Sequence, residues 1–335
     1  VEGTVTVMSE NQVKKVLFIG DQHIWHITPP NRLDVYSEAI IAKMRECLFD
    51  IAPSKNVDAV VLLGDLFEKP EPNALVRNQV LRLFRECIIP IYALEGNHDK
   101  DSADDLNKTA LGTLFDAGIL IRSDYEPSLG IKFWHYTKSL DSEIQNGCMT
   151  SSSAIIQCAH ASISTELDRF GEYLFLFEKT PLHPNTSLVI SGHIHHAMEQ
   201  VREDNKKFVN PGAISRYASS KDNLEKQIQV YYLEYSLDGT IINEEYIPLK
   251  SARPASEVFR LDEIELNKAH KLETKQLIEK MASITTNNWS HTNIDDKIAF
   301  ITLEAREAKM NNKSIEIIVD ALKYAQEAKK KEKNG

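Results

Sequence analysis

Val16-Leu17-Phe18-Ile19-Gly20-Asp21-Gln22-His23 is the stretch from which the rest of the chain can be read. Four consecutive apolar residues fit a strand buried on both faces, and the polar group that follows carries a carboxylate and an imidazole. The same pattern returns in Ala59-Val60-Val61-Leu62-Leu63 before Gly64-Asp65, and in Ile91-Tyr92-Ala93-Leu94 before Gly96-Asn97-His98-Asp99. It returns again in Ala154-Ile155-Ile156 before His160, and in Leu188-Val189-Ile190 before Gly192-His193-Ile194-His195. Polar groups placed after each of these strands gather along one rim.

The segments between the strands set the fold class. Asp34 to Phe49 carries Val35, Ala39, Ala42 and Met44, and Asn73 to Cys87 carries Leu75, Val80, Leu81 and Phe84, spacings that suit helices lying on a sheet. From about Ile131 strand signals dominate, in Ile131 to Tyr136, Phe208-Val209, Gln227 to Tyr235 and Thr240 to Pro248, with Leu237-Asp238-Gly239 as a hairpin turn. This mixture predicts an α/β (α+β) architecture of two packed sheets with helices outside, and not a single doubly wound sheet. Ser251-Ala252-Arg253-Pro254 breaks the strand rhythm, so a domain of residues 13–250 is expected, followed by a helical region of residues 251–335. In that region Leu272, Leu277, Met281 and Ile284, then Ile294, Ile298, Ile301 and Ala305, then Ile315, Ile318, Val319, Leu322 and Ala325 keep helical spacing, with Ser314 as an N-cap.

Composition narrows the function classes. Hydrophobic residues at 42% suffice for a core. A net charge of -10, from 39 Lys and Arg against 49 Asp and Glu, has the wrong sign for holding nucleic acid by charge alone. Any such substrate must be met by a local patch, by metals or through a partner. Lys69, Arg77, Lys100 and Arg216 are candidates for a patch, although each also reads as an ordinary surface charge. Cys47, Cys87, Cys148 and Cys158 form no CxxC pair, which argues against a disulfide framework or a thiolate metal site and fits a reducing, cytoplasmic setting. No stretch has the length of a membrane span, and residues 1–15 lack the apolar core of a signal peptide.

The polar groups themselves have the chemistry of metal ligands. Asp21 and His23, one residue apart at an extended strand end, project to the same side and can clasp one cation. Asp65 offers two carboxylate oxygens able to bridge two ions, Asn97 an amide oxygen, and His160, His193 and His195 imidazoles, with His193 and His195 again at i, i+2. Nitrogen and oxygen donors without sulfur suit Mn, Fe or Zn. Two ions about 3.5–4 Å apart would activate water and offset charge on a phosphoester. His98, next to Asn97, is a candidate to donate a proton to the leaving oxygen or to hydrogen-bond the phosphate, with Asp99 or another carboxylate orienting its ring. His135 also follows a strand-like stretch, but His160 ends its strand as the other ligands do and is preferred.

The ordered set DxH, GD, GNHD, H and GHxH, over residues 15–250, resembles the calcineurin-like metallophosphoesterase superfamily. The resemblance implies a two-sheet β-sandwich core flanked by helices. It also implies one metal on Asp21, His23, Asp65 and His195 and another on Asp65, Asn97, His160 and His193, Asp65 bridging. Gly64-Asp65-Leu66-Phe67-Glu68, followed by Pro70, Pro72 and a helix, resembles more narrowly the SbcD nucleases and their meiotic-recombination (Mre-type) relatives, including phage versions. That likeness implies a DNA exonuclease and endonuclease with two divalent ions, Mn2+ foremost and Fe2+, Zn2+ or Mg2+ as other candidates. It implies an SbcC/Rad-type ABC ATPase docked on the C-terminal helices, with a homodimer as a further expectation, in the cytoplasm (a host's, if phage-encoded). Asn210-Pro211-Gly212-Ala213-Ile214-Ser215-Arg216 looks instead like small-molecule phosphodiesterases, so hydrolysis of cyclic nucleotides or other small esters stands as the alternative.

Overall fold

The computed structural model describes residues 12–100, 105–166, 175–262 and 294–307, together with 315, 316, 319, 320 and 323. Among the described residues the strands form two large sheets and a small one. The first sheet has the order β13 (Ile241–Pro248), β12 (Gln229–Ser236), β1 (Val13–Ile19), β2 (Ala59–Leu62), β3 (Ile91–Ala93). Strands β1, β2 and β3 run parallel, and β12 and β13 add an antiparallel hairpin closed at Gly239, which adopts φ +94°. The second sheet has the order β10 (Met198–Val201), β11 (Lys207–Asn210), β9 (Leu188–Gly192), β6 (Ile156–His160), β5 (Ile131–Trp134), β4 (Tyr125–Glu126), and its central strands β11, β9, β6 and β5 are parallel. Strands β7 (Ile163–Ser164) and β8 (Phe175–Leu176) pair by themselves.

Alternation along each strand explains why the two sheets stack. In β1, Val16 and Phe18 face a core shared with Ile131, Phe133, Ile156, Cys158, Leu188 and Ile190 of the second sheet. Leu17 and Ile19 face the other way, into a core filled by the helices. Val189 and Phe208 likewise turn outward from the second sheet to meet Leu140, Ile144 and Phe177. A sheet apolar on both faces needs a cover on each, and burial of a side chain such as Phe18 contributes about 1.5–3 kcal/mol to that arrangement.

The helices sit where their apolar stripes require, with shifted details. The first spans Tyr36–Arg45 and buries Tyr36, Ile40 and Met44, while Val35, expected on the buried face, lies outside the helix and is half exposed. The second spans Ala74–Glu86, is N-capped by Asn73 accepting from Val76 N at 3.0 Å, and buries Val76, Val80, Leu83 and Phe84; Leu75 faces solvent.

The chain divides into compact units at Phe259/Arg260, nine residues beyond the break expected at Lys250. Pro254 ends the strand rhythm, but the segment after it still packs on the first unit. Leu33 N donates to Val258 O at 2.8 Å, Glu46 accepts from Lys250 N and Ser251 N, and Phe259 is buried. In the second unit the helix Ile294–Glu307 is described, carrying half-buried Ile298 and exposed Leu303. The helix expected over residues 261–284 and most of that expected over 314–328, including its Ser314 cap, lie outside the described residues.

Candidate metal centre

The carboxyl ends of parallel strands from both sheets meet at one edge of the sandwich, the usual place for a site in such sheets. The loops there are zipped together before any ligand is considered. Gln22 N and His23 N both donate to Asp65 O (3.1 and 2.9 Å), and Ile24 N donates to Leu66 O at 2.9 Å. Asp99, completely buried, accepts from Gly96 N and Phe67 N at 3.0 Å and from Leu66 N at 3.2 Å, tying the loop after β3 to the loop after β2.

His160 is aimed by its strand, but other ligand candidates converge by bent backbone. Strand β1 ends at Ile19, and His23, Asp65 and His193 take φ +48°, +48° and +78°, the left-handed region that side chains larger than glycine rarely occupy. Such conformations cost about 1–3 kcal/mol each and persist where the surroundings over-determine them. The expectation that an extended strand end aims Asp21 and His23 to one side is thus corrected; the turn brings them together. Gly96 is required here because a Cβ would collide with the Asp65 side chain and amide.

Seven side chains expected as ligands come together in two overlapping groups. In the first, His23 Nε2 stands 3.0 Å from His195 Nε2, and Asp21 shares a ligand-sized cluster with both. In the second, Asn97 Oδ1 stands 3.0 Å from both His160 Nε2 and His193 Nδ1, and Asp65 Oδ2 lies 3.3 Å from His160 Nε2 and 3.6 Å from His23 Nε2. Asp65 therefore adjoins both groups. His193 and His195, two residues apart, divide between them. Asp21 also accepts from His193 N at 3.0 Å, which fixes the last loop.

These contacts fit a cation better than they fit hydrogen bonds. His160 Nδ1 donates to Leu63 O at 2.8 Å, so in the neutral ring its Nε2 presents a lone pair to Asn97 Oδ1, itself an acceptor. Glu68 Oε2 lies 2.9 Å from His23 Nδ1, a charge contact that favours the proton on Nδ1 and turns the His23 Nε2 lone pair toward His195. Converging lone pairs in a buried setting are unfavourable until a positive charge sits among them. Proton affinities express the same demand. Burial opposes a charged His160, yet Asp65, Asp21 and the Leu63 carbonyl push it up to about 10. Burial likewise opposes a charged His23, and Glu68, Asp65 and Asp21 outweigh it. Burial would raise Asp65, but His160, His23 and His98 hold its carboxyl well below the usual range. His195, dominated by burial, falls to about 4.

His98 stands at the more open side. Its N donates to Asp65 Oδ1 at 2.9 Å, its Nδ1 donates to Glu68 O at 2.8 Å, and its ring meets that of His23 edge-on at 4.8 Å. Asp99, expected to orient this ring, is fully engaged with backbone N–H groups; burial and the Asp65 charge push its carboxyl up to about 7. Two other carboxylates lie near His98: Glu68, 3.9 Å from Nδ1, and Asp65, which shares a ligand-sized cluster with His98 and His23. Glu68 was read only as part of a motif, and its double contact with His23 and His98 has no signature beyond its place three residues after Asp65.

Several other candidates are engaged elsewhere. His135 Nδ1 accepts from Glu95 N at 3.2 Å and Nε2 donates to Ser123 O at 3.0 Å, so it holds backbone. Lys100 pairs with buried Glu95 at 2.9 Å and bonds Tyr136 O, and Arg216 bonds Arg253 O and Lys226 O; neither is a surface charge. Lys69 and Arg77 remain exposed. His26 accepts from Asn73 N at 3.3 Å. His196 and His195 line a cavity of about 410 Å³ with Gly212, Lys226, Gln227 and Gln229.

A profile of the calcineurin-like phosphoesterase domain matches residues 14–197, more than half the chain and every rim element described above. The chain belongs to the calcineurin-like phosphoesterase family. This calcineurin-like phosphoesterase is 27% identical over 239 residues to the DNA double-strand break repair protein Mre11 of Archaeoglobus fulgidus, covering 64% of this chain and 52% of that protein. It thus spans about half the length of the curated relative it matches. Among solved structures it is similar to a dimetal phosphatase from Danio rerio (TM-score 0.43, 10% identity, 71% of this chain and 99% of the other). It is also similar to a 5'-nucleotidase precursor from Thermus thermophilus (TM-score 0.39, 13% identity, 73% of this chain and 56% of the other). The family and the Mre-type relation expected from the motifs are both found, and the metal-suited donor set is the equipment of a phosphoester hydrolase. Among the described residues no helix is long and apolar enough to cross a membrane.

Proposed function

We propose that this chain is a two-metal phosphodiesterase whose ester is DNA, of the SbcD/Mre type, working as exonuclease and endonuclease in end processing, repair or recombination. One observation carries the hydrolase reading: seven nitrogen and oxygen donors crowd into adjoining groups around Asp65, with His98 beside them. Asp21, His23, Asp65 and His195 would hold one divalent ion and Asp65, Asn97, His160 and His193 the other, Mn2+ being our choice. When bound, such ions neutralise phosphoryl charge and make water a better nucleophile. His98, in its doubly protonated form, would give the leaving oxygen its Nε2 proton, while its Nδ1–H stays on the Glu68 carbonyl and holds the ring in place. The DNA substrate is supported by the Mre11 similarity across 239 residues and by the Gly64-Asp65-Leu66-Phe67-Glu68 segment. The unit beyond Phe259 is the proposed dock for an ABC-type ATPase.

A second reading rests on the polar cavity beside His195, whose volume of about 410 Å³ falls in the range of small-ligand sites. It favours a nucleotide or another small phosphodiester. The two separate in one assay with Mn2+, comparing linear and single-stranded DNA with bis-p-nitrophenyl phosphate and cyclic nucleotides. DNA cleavage is expected. Turnover of the small esters with intact DNA, even after addition of an ABC-type ATPase partner, would reject the nuclease reading.

A further inference from the structure

Strand β5 runs parallel beside β6, and two residues past its end at Trp134 the chain places Tyr136 on the rim next to His160, the last residue of β6. The Tyr136 ring centre stands 6.2 Å from that of His160, with the planes 84° apart, and 6.4 Å from that of His193, with the planes 27° apart. Both imidazoles belong to the group around Asn97. Tyr231 and Tyr235, which pack in the core of the sandwich, are at most 1% exposed, whereas Tyr136 is only half buried. Part of its surface therefore stays open beside the ligand candidates.

The backbone of Tyr136 is clamped on both sides. Its N donates to Glu95 O at 3.0 Å, and Lys100 Nζ donates to its carbonyl. His135, the residue before, accepts from Glu95 N at 3.2 Å and donates to Ser123 O at 3.0 Å. The buried Glu95 carboxylate pairs with Lys100 at 2.9 Å and with Arg122. Charges are buried at a cost that only a fully partnered network offsets, and the ties of this network converge on the backbone of one aromatic residue. Glu95 lies two residues before Asn97, so one loop holds a proposed ligand and Tyr136 in fixed relation. A ring fixed in advance loses little freedom when a ligand settles on it. We infer that Tyr136 is a stacking surface for the nucleobase of a nucleotide whose phosphate sits at the His160 and His193 group. The inference rests on the phosphoesterase reading and adds to it the part of the substrate that lies beyond the phosphate. The separations of 6.2 and 6.4 Å put a phosphate held at the imidazoles beside the phenol and not beneath it, as stacking by the attached base requires. Every base offers a π-face, so the contact favours a base over a bare sugar without selecting among bases.

Equilibrium binding of deoxyadenosine 5'-monophosphate and of deoxyribose 5-phosphate to the full chain in Mn2+ isolates the base. The unaltered chain should bind the nucleotide about 5–150-fold more tightly than the sugar phosphate. Tyr136→Leu should lose most of that preference and Tyr136→Phe should keep it, with the sugar phosphate bound alike by all three. Equal weakening of both ligands in Tyr136→Leu would mean that the ring only shapes the metal group, and would overturn the inference. Equal affinity of the unaltered chain for the two ligands would overturn it as well, while leaving the phosphoesterase reading in place. Failure to bind either ligand would overturn both.

Discussion

His160 and His23 flank Asp65 on one rim and are held there by different means. His160 is the last residue of β6, wholly buried, and its ring is fixed by the Leu63 carbonyl of the neighbouring sheet. His23 hangs on a left-handed turn beyond β1, and its ring is fixed by the side chain of Glu68. A ligand carried by a strand inherits its aim from the sheet, whereas one carried by a loop needs a second side chain to aim it. The strand-borne end should therefore tolerate change around it poorly but need little support, and the loop-borne end should respond to its supporting carboxylate.

The largest expected effect comes from the strand-borne end. His160→Asn should lose the ion shared with Asn97 and His193, and hydrolysis should fall by at least about 10³-fold, since each ion supplies several kcal/mol to the transition state. Metal analysis and turnover measured together check this, and full metal content would break the comparison. His98→Asn replaces none of the seven proposed ligands and keeps the backbone N–H to Asp65, although it removes the ring packed edge-on against His23. Its rate should drop about 10²–10⁴-fold with metal content unchanged, and an undiminished rate would remove His98 from the chemistry.

Glu68→Gln sharpens the comparison most directly. Loss of the carboxylate beside His23 Nδ1 should weaken binding of the ion at Asp21, His23 and His195 by about 10–100-fold, leaving the His160 group near normal. Titration calorimetry with Mn2+ should then resolve two affinities where the unaltered chain shows closer ones. Equal weakening of both would mean that Glu68 supports the rim as a whole. The smallest effect belongs to His135→Leu, which leaves Glu95 N without its acceptor. Stability should fall by about 1–3 kcal/mol in denaturant unfolding, with both ions retained.

Much of the fold was legible because buried parallel strands leave unbroken apolar runs, and the residues after Ile19, Leu63, Leu94 and Ile190 mark where those runs give way to a buried polar rim. The residues proposed as ligands were picked out for the same reason, and the structure brings their side chains together, although the route assigned to Asp21 and His23 was mistaken. An extended chain was assumed where a positive φ does the aiming, and a left-handed residue other than glycine has no reliable sign in sequence. Glu68, Lys100 and Arg216 were opaque for another reason. A charged residue in a polar loop reads as solvated unless its partners are known. The partners of Glu68 and Arg216, namely His23 and the Arg253 carbonyl, lie far along the chain, and Glu95, although near Lys100 in sequence, gives no sign there that it is buried.

By itself the sequence determined which strands are buried, that helices cover their outer faces, and that nitrogen and oxygen donors cluster after the strands, because hydrophobic period and residue type are local properties. Tertiary structure alone decided that His193 and His195 serve different groups, that Glu68 supports His23, and that the Tyr136 ring lies beside His160 and His193. Hydrogen bonds and charge balance act over a few ångströms between residues far apart in the chain, so only the folded arrangement can bring them to account.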